Sequence, residues 1–204
     1  MTPHPIITNN PVVIINLERR EDKRHYVTGE MERMGIKDYI IFKAHDTKPG
    51  KVGCAKSHLD IMRMNKIIGN IFTIFEDDVK FLQPWSVINK AIDELPDDWD
   101  ALFLGASPQQ PQQRYSDHLF RLVNGKTTHA IIWNNKNGVI EYILDRYPAY
   151  SHLAIDRFFA EIVQPIRRIY IPFPLSCTQT QWQSDTCKRC DMSTIVRNYN
   201  KYCK

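Results

Sequence analysis

Ile71 to Val79 reads IFTIFEDDV: five largely apolar residues run directly into three carboxylates, Glu76, Asp77 and Asp78. With Gly69 and Asn70 bounding it upstream, this pattern predicts a buried strand that ends at an acidic edge. Side chains alternate along a strand, so Glu76 and Asp78 point to one side and Asp77 elsewhere. Three adjacent carboxylates repel one another and invite a cation. Two hard oxygen ligands aimed at one point suit Mg2+ or Mn2+, completed by phosphate and water. An acidic turn that merely solvates the strand exit is the alternative reading of the same residues.

Outward from that strand, the chain alternates between strand and helix patterns. Val12 to Asn16 is a β-branched run, followed by a helix to about Met34 with an apolar stripe of Val27, Met31 and Met34, and by a strand at Ile40 to Phe42. This order predicts an α/β fold and places Asn16 and Asp46 near strand ends, where such folds bind ligands. Pro49, Gly50 and Gly53 interrupt regular structure, and a helix from near Ala55 to Ile68 puts Ser57 and His58 in its first turn, where free amides can meet a phosphate. Downstream, the pattern predicts a helix at Trp85 to Leu95 and a strand at Trp99 to Leu104. Ser107 to Ser116 reads as a loop, either a lid, a substrate rim or a solvated excursion. Leu119 to Val123 and Thr128 to Trp133 read as an antiparallel hairpin around Asn124, Gly125 and Lys126. A helix capped by Asn134 or Asn135, a short helix at Ile155 to Val163 and a final strand at Arg167 to Phe173 follow.

After Pro174 periodicity fades, and four of the five cysteines (Cys177, Cys187, Cys190 and Cys203) fall in the last 28 residues. The expected organisation is a main domain at 1–175 and a cysteine-rich appendage at 176–204. Three readings stay open for the tail: a structural Zn2+ held by the four thiolates, two disulfides, or free thiols. Cys54 reads as packing rather than as a nucleophile.

The 204 residues, 43% hydrophobic and 11% aromatic, are enough for a substantial core and argue against disorder. A net charge of +4 with both signs interspersed favours a small anionic ligand over nucleic acid. No run is long enough for a transmembrane segment, and residues 1–11 lack the pattern of a secretion signal. The expected location is cytoplasmic or otherwise intracellular, with peripheral attachment to a membrane compatible; a secretory lumen remains open if a presequence has been removed.

Several stretches occur together in an order that is similar to glycosyltransferase family 25, the group of lipopolysaccharide-type glycosyltransferases and collagen galactosyltransferases. They are INLERREDKR at 15–24, AHD at 44–46, GCAKSH at 53–58, FEDDV at 75–79, WDALFLG at 99–105, THAIIW at 128–133, and Asp156 with Arg157 and Phe158. The resemblance spans about residues 12–183. It implies a GT-A-like, Rossmann-like mixed sheet flanked by helices, and transfer of a hexose with inversion, galactose from UDP-galactose first, to a hydroxyl of a glycan or glycosylated protein. By the same resemblance Ile15, Asn16 and Leu17 line a nucleotide pocket, Arg19 or Arg20 approaches the diphosphate, and Asp46, Ser57 and His58 face the donor. Asp78 becomes the main metal ligand, with Glu76 or Asp77 its helper.

Inverting displacement needs a base for the acceptor hydroxyl. Asp156, apart from the acidic triplet and matching the family's late aspartate, is the residue the resemblance assigns; a helix cap is its alternative. His129 and Gln179 or Gln181 are candidates for substrate contact or ordering, with a surface or core polar role as the alternative for each. The chain departs from the GT-A pattern in lacking any histidine after His152, where a further metal ligand is often found. That departure supports the competing account, a sugar-nucleotide or glycan binding protein with weak catalysis.

Overall fold

The computed structural model describes the chain apart from residues 1, 65, 66, 68, 182–184 and 186–192. Its strands are β1 (Val12–Asn16), β2 (Ile40–Lys43), β3 (Ile71–Glu76), β4 (Val79–Phe81), β5 (Ala101–Phe103), β6 (Ser107–Pro108), β7 (Gln113–Arg114), β8 (Leu119–Arg121), β9 (Gly125–Lys126), β10 (Ala130–Asn134), β11 (Ile169–Pro172) and β12 (Cys177–Gln179). Eight of them form one mixed sheet in the order β2-β1-β3-β10-β5-β11-β8-β7. β1 is parallel to both β2 and β3, whereas β10 lies antiparallel between β3 and β5.

Strand alternation divides the core into two layers. Val13, Ile15, Phe72 and Ile74 face one layer, with Leu59 and Met62 of the Gly50–Arg63 helix and Phe158 and Phe159. Val12, Ile14 and Phe75 face the other, with Val27 and Met31 of the Glu21–Arg33 helix and Ile88 and Ile92 of the Trp85–Asp93 helix. Apolar cover on both faces explains why β1 and β3 read as continuous apolar runs rather than alternating ones. The chain is therefore of the α/β class that its patterning predicts, with the Rossmann-like mixed sheet flanked by helices that the resemblance implies.

Three local expectations are corrected. The predicted hairpin does not form, because β10 is separated from β8 by β5 and β11. Asn124 and Thr127 adopt positive φ (53° and 75°), and the intervening β9 pairs with β6 instead. A strand as apolar as AIIWN gains more by insertion between β3 and β5, where all five residues are buried, than in an edge hairpin. The predicted helix at Ala55 begins earlier, at Gly50 after Pro49, so Ser57 and His58 lie in its middle and not beside its free amides. Pro49 is well suited to precede the first turn, and Gly53 is tolerated because a Cβ there would stand 2.1 Å from the carbonyl oxygen of His45. Finally, the sheet strand at 169–172 is followed by β12, which pairs antiparallel with β4.

The segment after Pro174 also contains the Ser193–Tyr202 helix. Its Ile195 and Tyr199, with Cys203, are buried in the layer that holds Phe72 and Ile74, while Cys177 is buried in the opposite layer. Cys187 and Cys190, half of the four-thiolate zinc expectation, lie outside the described residues, and Cys177 and Cys203 are free thiols packed in separate layers, where they do not share one ion. Among the described residues no helix is long and apolar enough to cross a membrane.

Candidate functional site

Because β1, β2 and β3 are parallel, their carboxyl ends open on one edge of the sheet, the usual ligand-binding edge of such folds. A cleft of about 670 Å³ lies there. Its walls include Ile15 and Leu17 at the end of β1, Ala44 to Thr47 after β2, and Glu76, Asp77 and Asp78 at the end of β3. Ser107 follows β5, Thr128 precedes β10, and Asp156 begins the Ile155–Phe158 helix. Residues as far apart in sequence as Ile15 and Asp156 thus share one space.

Each carboxylate of the triplet has its own partners. Glu76 Oε1 accepts a 2.6 Å bond from the Thr128 hydroxyl and lies 3.2 Å from His58 Nε2. Gln179 Nε2 stands 3.5 Å from Glu76 Oε2 and donates to Asp78 Oδ1 at 3.1 Å, so one amide nitrogen reaches both acids. Asp77 turns the other way: Oδ2 accepts from Asn16 Nδ2 at 2.9 Å and Oδ1 from Lys23 Nζ at 3.1 Å. Lys23 also donates to Asp78 Oδ2 at 3.3 Å. The period-two alternation predicted from the strand survives into the turn.

Burial and partners then set the charges. Burial works against the Glu76 carboxylate, but the hydrogen bond and charge of His58 and the bond from Thr128 hold its pKa down at about 2. Burial pushes Asp77 up to about 6, with Asp78 repulsion adding to it and Lys23 pulling against it. Asp78 is raised by burial and by the neighbouring Glu76 charge. Burial likewise opposes the Lys23 ammonium, yet Asp78 and Asp77 outweigh it and raise its pKa.

Of the sequence-predicted residues, Ile15, Leu17, Asp46, Ser57, His58, Glu76, Asp77, Asp78 and Asp156 line the cleft; Asn16 and Arg20 do not. Asn16 is buried and braces Asp77 and the Arg20 carbonyl from behind. Arg20 pairs with Asp22 and Asp185, whereas Arg19 lines the cleft and pairs with Asp46 (2.7 Å) and Asp185 (2.8 Å). Ser57 is a brace rather than an anion donor: its hydroxyl accepts from His45 N and donates to the Gly53 carbonyl, both at 2.9 Å, tying the loop after β2 to the helix. Asp156 Oδ1 accepts from Arg157 N at 2.8 Å. His129 is fully buried behind the acidic edge, its pKa lowered by burial, and Gly105 lets the backbone of Cys177 and the His129 ring approach where a Cβ would clash. Gln181 is exposed at the end of the described segment.

Sequence reasoning missed three features. Lys23 sits in a charged run, GluAspLysArg at 21–24, that reads as solvated, and only the fold buries it. Thr128 stands in the THAIIW stretch, but nothing in the sequence singles it out as a partner of Glu76. The Ser193–Tyr202 helix, which brings Thr194, Ile195 and Asn198 to the cleft, was legible as the i, i+4, i+8 spacing of Ile195, Tyr199 and Cys203.

No family model and no curated protein matches this chain. Among solved structures, protein A197 from STIV superposes with a TM-score of 0.52 at 12% identity, over 85% of this chain and 87% of that one. A glycosyltransferase involved in glycosylation of the major capsid of PBCV-1 gives 0.49 at 11% identity, covering 79% and 80%. A mutant of Drosophila β1,4-galactosyltransferase 7, in complex with manganese, UDP-Gal and xylobiose, gives 0.47 at 12% identity, covering 92% and 79%. At these identities the likeness is one of fold. The fold is a mixed α/β sheet flanked by helices.

Proposed function

We propose that this chain is a metal-dependent glycosyltransferase that uses a nucleotide-sugar donor, related to family 25, and moves a hexose with inversion to a hydroxyl of a glycan or glycosylated protein. UDP-galactose is the first donor to test. The observation that carries the reading is the convergence of Glu76 and Asp78 on a single Gln179 nitrogen in a cleft that Asp156 also lines. A donor set of two carboxylates fits a hard cation, which at Asp78 would displace the Gln179 amide from Oδ1 while Lys23 engages Oδ2. When bound, Mn2+ or Mg2+ supplies positive charge to the leaving diphosphate.

The chain's own residues do the remaining work in this proposal. Leu17 and Asp46 hold the nucleotide between the loops after β1 and β2, with Ile15 beneath. Arg19 takes the diphosphate in preference to Arg20, which lies behind the wall, and Asn16, Ser57 and His58 position the loops and Glu76. Asp156 accepts the proton of the attacking hydroxyl, which leaves that oxygen free to form the new glycosidic bond.

One observation favours a second reading. Lys23 already neutralises part of the triplet's charge, which weakens the claim on a metal and fits a sugar-nucleotide binding protein with little turnover. Incubation with UDP- and GDP-sugars, with Mn2+ or with chelator, and mass spectrometry of simple acceptors separates the two. Metal-dependent product that is lost in Asp156→Asn with donor binding retained supports the transferase; donor binding without product supports the binding protein.

A further inference from the structure

A second donor set shares the wall of the cleft. Cys54 and His58 are four residues apart on the Gly50–Arg63 helix, so their side chains lie one above the other on one face. Glu76 reaches that face from the end of β3. The Cys54 sulfur, a His58 ring nitrogen and a Glu76 carboxylate oxygen all lie within 4.8 Å of one another. All three residues line the cleft.

The His58 ring is the second observation. It is fully buried, its Nδ1 has no hydrogen-bond partner, and its Nε2 points at Glu76 from 3.2 Å. A ring placed only to pack rarely leaves a buried nitrogen unpaired. Thr128 fixes Glu76 Oε1 from the other side at 2.6 Å, the kind of outer bond that orients a ligating carboxylate.

We propose that Cys54, His58 and Glu76 bind a thiophilic divalent ion of the zinc type, with a fourth position open to the cleft. Sulfur, imidazole and a single carboxylate favour Zn2+ or Co2+ and offer little to Mg2+. Tetrahedral zinc bonds of about 2.0–2.3 Å place ligand atoms roughly 3.3–3.8 Å apart, so the set closes by side-chain rotation of about 1 Å. On coordination the Cys54 thiol gives its proton to solvent and the sulfur's electron pair goes to the metal. Because Glu76 belongs to both donor sets, the thiophilic ion takes it from the hard-metal edge. Resting on the transferase reading, this makes zinc an inhibitor of Mn2+-supported transfer.

The test is titration of the metal-free full chain with Co2+ alone. A thiolate-to-cobalt band in the near ultraviolet, with one proton released per ion, is the expected result. Cys54→Ser abolishes the band and Glu76→Gln weakens Co2+ binding on the order of 10–100-fold. Cys187→Ser/Cys190→Ser keeps it, which separates this site from the tail thiols. Far-UV circular dichroism identifies a misfolded Cys54→Ser, in which case Glu76→Gln, which keeps the thiol, decides by its affinity. Absence of the band in the parent, its persistence in folded Cys54→Ser, or unchanged affinity in Glu76→Gln overturns the site. The readout is independent of turnover: a band without transfer counts against the proposed function alone, and transfer without a band counts against this site alone.

Discussion

Asn16 donates a 2.9 Å hydrogen bond to Asp77 Oδ2, joining the end of β1 to the turn after β3. The bond holds the middle carboxylate of the triplet toward Lys23, and Glu76 and Asp78 are left to converge on Gln179. The three acids are consequently not equivalent. Glu76→Gln and Asp78→Asn are expected to lower kcat/KM for sugar transfer on the order of 100-fold, the scale of removing one preorganised electrostatic contact. Asp77→Asn, whose partners are structural, is expected to cost less. Steady-state kinetics at saturating Mn2+ check the order, and an Asp77→Asn loss as large as that of Asp78→Asn would refute it.

The same turn carries a pH signature. The Asp77 carboxyl titrates at about 6 in the folded chain against 3.8 in the reference state, so between those values the folded chain holds more protons than the unfolded one. Its contribution is therefore fully present below that window and is lost as pH rises through it, by roughly 3 kcal/mol in total. Glu76 has the opposite sign: its folded pKa is depressed to about 2 from 4.5, so its contribution is present above 4.5 and is lost as pH falls toward 2. Urea unfolding of the parent and Asp77→Asn at pH 4 and pH 7 (about those values) isolates the first effect. The difference between the two proteins should shift in favour of the variant at the higher pH; an unchanged difference sinks the assignment.

Lys23 is buried with both Asp77 and Asp78 and is the ammonium that makes their burial tolerable. Lys23→Met leaves those carboxylates unpaired and is expected to destabilise the metal-free chain by about 3–5 kcal/mol. Added Mn2+ should restore part of the loss, because the ion replaces the missing charge. Chemical denaturation with and without Mn2+ measures both, and a variant as stable as the parent would remove Lys23 from this role.

Gly53 is the point where the Gly50–Arg63 helix meets the loop after β2, and the added Cβ of Gly53→Ala would fall 2.1 Å from the His45 carbonyl. The collision is with backbone, so the helix or the loop has to move. A loss of about 1–3 kcal/mol is expected, with weaker donor binding because His45, Asp46 and Ser57 shift together. Thermal unfolding and donor titration by calorimetry read the two effects; unchanged values in both would show that the loop accommodates the methyl group.

Much of this was legible in one dimension, for particular reasons. A strand buried on both faces has to be apolar throughout, so Val12 to Asn16 and Ile71 to Phe75 announce themselves, and the jump to GluAspAsp marks where the sheet meets solvent and ligand. The parity of a strand also separated Asp77 from Glu76 and Asp78. The helix start at Gly50 was hidden because two glycines near a proline read as a break, whereas here close contact with His45 requires Gly53. The placement of β10 was hidden because a turn-like AsnGlyLys is compatible with a hairpin, and only the competition for a central position in the sheet excludes it.

The sequence by itself determined the alternation of helix and strand, the apolar character of the central strands and the carboxylates at a strand end, because each follows from local periodicity. The tertiary structure alone decided that Lys23 is buried, that Gln179 bridges Glu76 and Asp78, that His58 lies against Cys54 and Glu76, and that the Ser193–Tyr202 helix closes the cleft. Those are contacts between residues far apart in the chain. They depend on strand order and helix packing, for which no single segment carries the information.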